Sequence, residues 1–159
     1  MALFLSTFVN KVDKKGRVSV PAPFRTALAG QSFSGIVAFR SFKLPAIEGS
    51  GIDRMEEMSA RIDALDEFSE DRDALSSIFA DAQQLAFDGE GRIILPQALC
   101  DHAGIAENAA FVGLGRTFQI WEPQRFEQHR DELRERARRQ GTTLPARRPD
   151  RPPPEGEPR

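Results

Sequence analysis

Two short stretches, Asp13-Lys14-Lys15-Gly16-Arg17 and Asp88-Gly89-Glu90-Gly91-Arg92, combine residue types and spacing that offer chemistry. A guanidinium can pair bidentately with guanine O6 and N7 or clamp a phosphate. Lys14 and Lys15, in the same turn as Arg17, would reach phosphates as mobile point charges. Asp13 and Asp88 cannot favour a polyanion electrostatically; an aspartate there suits accepting hydrogen bonds from turn amides or holding an arginine in place. Gly16 and Gly91 supply the positive φ that a tight turn requires.

Charge is segregated around these stretches. The 159 residues carry a formal net charge of only −2, which alone argues against nucleic acid. Between Asn10 and Arg25, however, Lys11, Lys14, Lys15, Arg17 and Arg25 face the single acid Asp13, a local excess of +4. From Asp53 to Gln83, ten acids face three arginines, a local −7. A basic patch sets the potential felt within about one Debye length, roughly 8 Å at physiological salt, so the blocks matter more than their average. The two turns also differ: Lys14-Lys15 becomes Gly89-Glu90, a change of three charges that should make the second turn repel phosphate relative to the first. The first copy is therefore expected to face DNA, with Arg17, Lys14, Lys15 and Lys11 as contacts. Asp13, Gly16, Asp88, Gly91 and Arg92 are expected to serve structure or interfaces, Arg92 as an ion-pair partner of Asp13 or Asp88.

Other chemistries find little support. There is no Ser-His-Asp order, no Cys-His couple and no glycine-rich phosphate loop, so an enzyme is not expected. One cysteine and two histidines give no metal-ligand spacing, and no cofactor is implied. A lone Cys100 fits a reducing cytoplasm. No apolar run approaches the roughly 18 residues of a membrane helix, so no membrane partner is expected.

The elements that must position the motifs repeat as well. Residues 12–21 (VDKKGRVSVP) and 87–96 (FDGEGRIILP) align at a constant offset of 75. Each copy reads as strand, turn, β-branched strand, a short helix after Pro21 or Pro96, and two further strands. Ile36, Val37 and Phe39 fall opposite Phe111, Val112 and Leu114, and, with a one-residue gap, Phe42 and Leu44 fall opposite Phe118 and Ile120. One such unit has too little apolar surface to stand alone, whereas two can bury each other. Between the copies, Ile52, Met55, Met58, Ile62 and Leu65 step at helical spacing, and Ser69 caps a second helix carrying Leu75, Ile78 and Phe79. That hairpin is expected to pack on its own chain, with a subunit contact as the alternative. A third helix follows Pro123.

The paired Asp-x-x-x-Arg motifs, each followed by a hydrophobic strand and proline, resemble the MraZ family, whose members carry two domains of the SpoVT-AbrB type. The resemblance runs from Met1 to about His129 and includes VNKVDKKGRVSVPAPFR, SEDRDALSSIFADAQ and FQIWEP. It implies an α+β chain of two tandem swapped-hairpin, double-split βαβ repeats forming an intrachain pseudo-dimer. The corresponding segments are 7–54 for a DNA-facing first repeat, 55–82 for a helical insert, 83–126 for the second repeat, 127–140 for a C-terminal helix and 141–159 for a disordered Pro/Arg-rich tail. It further implies a cytoplasmic, nucleoid-associated repressor that forms ring-like homo-oligomers on double-stranded promoter repeats upstream of the division and cell-wall gene cluster. The family's first-copy arginine, its expected DNA contact, falls on Arg17. The alternative is an AbrB-type antitoxin with a toxin-binding C-terminal tail.

Overall fold

Thirteen elements follow one another in the computed structural model, which describes residues 2–145. They are β1 (Thr7–Lys11), β2 (Arg17–Ser19), α1 (Ala22–Ala27), β3 (Gly35–Arg40), β4 (Ile47–Ser50), α2 (Ile52–Asp63), α3 (Glu70–Asp81), β5 (Gln83–Ala86), β6 (Arg92–Ile94), α4 (Gln97–Ala103), β7 (Asn108–Gly113), β8 (Phe118–Trp121) and α5 (Pro123–Gln140). The chain is thus α+β, with mixed strands and helices. The tail expected to be disordered lies, from residue 146 onward, outside the described residues.

The six-stranded antiparallel sheet has the order β1-β7-β8-β4-β3-β5, and β2 pairs with β6 in a separate two-stranded ribbon. This order reads the same in both directions when each strand is exchanged for its counterpart in the other half. The opening strand of each half completes the other half's sheet: Phe8 pairs with Phe111, and Gln83 with Ala38. Neither half could close its own sheet, which is how two units with small apolar faces come to share one core.

The register corrects part of the sequence alignment. Phe8 and Gln83 keep the offset of 75, but Ala38, not Ile36, stands in the place of Phe111, an offset of 73. Arg40 pairs with Ile47 where Gly113 pairs with Phe118, so β4 and β8 are offset by only 71. Ile47 and Gly49 therefore occupy the positions of Phe118 and Ile120. Phe42 and Leu44 instead lie in the loop before β4, with Phe42 63% exposed. The physical reason is two longer connections in the first half, before β3 and between β3 and β4. Ser41 ties the second one: its amide donates to the Ala46 carbonyl at 3.0 Å, and its Oγ accepts from the Leu44 amide at 3.3 Å. At Gly49 a Cβ would come within 2.4 Å of the Phe118 ring, so the first half gives up a side chain where the two halves meet.

Between the sheet and the ribbon lies the main core. Phe24 of α1 is fully buried and meets Phe4, Phe8, Phe111 and Phe118 at ring-centroid distances of 5.2, 5.7, 6.3 and 5.2 Å. Val18 and Ile93 seal it from the ribbon side. A second cluster joins Val37 to Met55 and Ile78, so the acidic helices α2 and α3 pack on their own chain as expected. Ser69 caps α3 by accepting the Arg72 amide at 3.4 Å, and Phe68 at the tip between the helices is 91% exposed. A third cluster gathers Ala46, Ala110, Val112, Trp121 and Phe126.

Residues to Glu127 form one unit. Beyond it, α5 continues to Gln140, with Glu135 paired to both Arg138 and Arg139. Among the described residues, no helix is long and apolar enough to cross a membrane, and no group of three His, Cys, Asp or Glu side chains could hold a metal.

Candidate nucleic-acid interface

Each motif begins where a strand hands over to its turn, and the aspartate organises that turn. Asp13 Oδ1 accepts the amides of Lys15 and Arg17, both at 2.9 Å, and Oδ2 accepts Arg17 Nε at 2.7 Å. The backbone closes the same loop: the Asp13 amide donates to the Arg17 carbonyl, and the Gly16 amide to the Asp13 carbonyl, both at 3.0 Å. Gly16 sits at φ +83°, in the left-handed region.

The second turn repeats this bond for bond. Asp88 Oδ1 accepts the amides of Glu90 and Arg92 at 2.9 Å, Oδ2 accepts Arg92 Nε at 2.8 Å, and Gly91 has φ +76°. Arg92 also lies 3.6 Å from Glu90, a contact with no counterpart in the first turn. The arginine amides, first among several donors, hold both aspartates below the usual carboxylate range. The bond that Arg92 Nε donates to Asp88 pushes the arginine above its ordinary value. Both carboxylates therefore stay ionised and engaged at neutral pH.

The ribbon then sets where the arginines point. Arg17 pairs with Ile94, Val18 with Ile93 and Ser19 with Arg92. Because side chains alternate along a strand, Val18 and Ile93 face the core while Arg17, Ser19, Arg92 and Ile94 share the outer face. The first copy alone is expected to face DNA; the register brings the arginines of both copies onto one face of the ribbon. Ile94 is 60% exposed between them. Cross-half bonds lock the ribbon, with the Leu95 amide donating to the Gly16 carbonyl at 2.9 Å and the Val20 amide to the Gly91 carbonyl at 3.1 Å.

Lys14 and Lys15 are exposed at the tip of the first turn, and Lys11 is exposed at the end of β1, opposite Asn108. Lys14, Lys15 and Arg17 thus share the first turn, while Lys11 stands on β1, one residue before the Val12–Val18 bridge that joins that strand to the ribbon. Asn10, unmarked by the sequence, ties β1 to the ribbon through Nδ2 donating to the Ser19 carbonyl at 2.8 Å. The structure also places Arg25, one basic residue of the block, against the opposite turn at Gly91. No local signal foretells that, because the contact joins the two halves.

The remaining candidates for chemistry lie elsewhere. Cys100 is buried in the core, and burial pushes its thiol upward, away from nucleophilic use. His102 Nε2 lies 3.0 Å from the Leu44 carbonyl and pins the loop before β4 to α4.

Known proteins share this chain's sequence at length. The family described as "MraZ protein, putative antitoxin-like" matches residues 78–147. "Transcriptional regulator MraZ" of Rickettsia akari (strain Hartford) is 50% identical over 145 residues, covering 91% of this chain and 97% of the relative. The protein of the same description from Rickettsia felis is 49% identical over the same coverage. That of Rickettsia typhi is 52% identical over 130 residues, 81% of this chain and 87% of its own. With half of its residues shared along nine-tenths of its length, the chain belongs to the MraZ family of transcriptional regulators.

Proposed function

We propose that this chain represses transcription by binding repeated double-stranded DNA in its own promoter region as a ring-like homo-oligomer, with Arg17, Lys14, Lys15 and Lys11 as contacts. The observation that carries this reading is the first turn. One carboxylate orders the backbone and orients Arg17 at the ribbon surface, while two lysines stand free at its tip. A two-stranded ribbon fits the major groove, where a pre-oriented guanidinium can read guanine. The exchange of opening strands supports reading the halves as swapped-hairpin, AbrB-like repeats, 7–54 and 83–126, flanking the insert 55–82 and followed by helix 127–140. Asp13, Gly16, Asp88, Gly91 and Arg92 then build and join the turns.

One ribbon neutralises few phosphates and binds weakly; several on one assembly make later contacts effectively intramolecular. Occupying the promoter excludes polymerase. A mobility shift with DNA from immediately upstream of the coding region tests this, run beside analytical ultracentrifugation. Arg17→Ala should bind far more weakly while sedimenting as the wild type does; unchanged affinity refutes the site. The description "antitoxin-like" favours a second reading, a toxin-binding regulator. The halves already complete each other's sheet, which removes the need for a partner to finish the fold, and co-purification of a nuclease toxin would reverse that preference.

A further inference from the structure

We propose that Arg25, on α1 of the first half, is the phosphate-binding cation of the second turn, so that DNA lies along the whole ribbon rather than at its first end. This rests on the DNA-binding reading above. By its own sequence the second turn is poorly equipped, since Arg92 faces both Asp88 and Glu90, whereas Asp13 faces Lys14, Lys15 and Arg17 in the first. The fold brings a cation in from the other half. Arg25 Nε donates to the Val20 carbonyl at 3.1 Å, and the Val20 amide donates to the Gly91 carbonyl at 3.1 Å, so one residue fastens Arg25 and the turn together.

The guanidinium lies directly over Gly91, where a Cβ would meet its Nη1 at 2.6 Å and its Cζ at 2.8 Å. The absence of a side chain at Gly91 is what admits the arginine. Arg25 is exposed, borders a cleft of about 310 Å³ shared with Ser34, Asp88 and Gly89, and among the described residues pairs with no carboxylate. Among the described residues its hydrogen bond uses Nε and leaves both terminal nitrogens for an anion. At the offset of 75 its counterpart is Cys100, which is buried, so the first turn has no such brace and, with two lysines, no need of one.

The test compares wild type, Arg17→Ala, Arg25→Gln and Arg25→Lys on DNA from immediately upstream of the coding region, across a salt series. Losing one phosphate contact should lower the magnitude of the log–log salt slope by about 0.9 per engaged protomer, which is about fivefold in affinity near 0.15 M salt when referred to 1 M. Arg25→Gln should show that loss, and Arg25→Lys should restore the slope because it keeps the charge. An unchanged slope in Arg25→Gln, with wild type binding and Arg17→Ala impaired, overturns this proposal and leaves the DNA-binding reading standing. Failure of the wild type to bind removes both. Should Arg25→Gln fold poorly, phenylglyoxal labelling of the wild-type chain decides: DNA should protect Arg25 together with Arg17, and equal labelling of Arg25 with and without DNA refutes its role.

Discussion

Replacing Gly16 by alanine isolates what holds the first turn in shape. Two costs add at this position. The backbone sits at φ +83°, and an L-residue in the left-handed region costs about 1–2 kcal/mol. The new Cβ would also stand 3.0 Å from the Leu95 carbonyl oxygen, a backbone atom that can retreat only by moving the strand. The Leu95 amide donates to the Gly16 carbonyl at 2.9 Å, so that retreat strains a bond worth about 0.5–1.5 kcal/mol. The expected total is about 2–3 kcal/mol. Gly30 is the internal control: it has φ +84°, yet nothing lies within 4 Å of a Cβ added there, so Gly30→Ala should cost the backbone contribution alone. Urea unfolding followed by far-UV circular dichroism, at a single protein concentration, compares the two. Gly16→Ala should exceed Gly30→Ala by about 1 kcal/mol. Equal losses would mean that the turn does not depend on its seam with the other half.

Two further outcomes follow from the same structure. Phe24→Ala removes the ring at the centre of four aromatic contacts and should cost about 3–5 kcal/mol in urea unfolding, a large part of a typical domain's stability; a loss below about 1 kcal/mol would contradict the shared core. Asp13 and Asp88 are held below their unfolded value of about 3.9, so their contribution is complete above that pH and is lost as pH falls through the lower folded values. Urea midpoints measured from neutral pH downward should therefore fall below about pH 4, and Asp13→Asn with Asp88→Asn should flatten that decline; an identical acid slope in the double variant would show that these carboxylates do not couple to folding.

Much of the site could be read along the chain because its chemistry is local. Aspartate, glycine and arginine within five residues build the turn with their own backbone, so the repeat at Asp13 and Asp88 carries the geometry with it. The α2–α3 hairpin was equally readable, since a helix buries residues at a fixed period and Met55 and Ile78 obey it. What stayed hidden depends on pairings between distant strands. Nothing in Thr7–Lys11 says that it completes β7 a hundred residues later, and so nothing indicated that Arg17 and Arg92 share a face. The strand Ile47-Glu-Gly-Ser carries one large apolar residue, and its glycine exists to admit Phe118, so the more apolar Phe42-Lys-Leu-Pro drew the assignment instead. Arg25 shows the same limit: its neighbour Gly91 is 66 positions away, and only the folded ribbon brings them together.

The most direct measurement places a photo-crosslinker at the tip itself. Lys15 replaced by p-benzoylphenylalanine, irradiated with DNA from upstream of the coding region, should crosslink to that DNA, while the same group at Phe68, exposed at the far tip of the helical hairpin, should not. Crosslinks from position 68 with none from position 15 would place the double helix on another surface and contradict the assignment of the lysine-arginine turn.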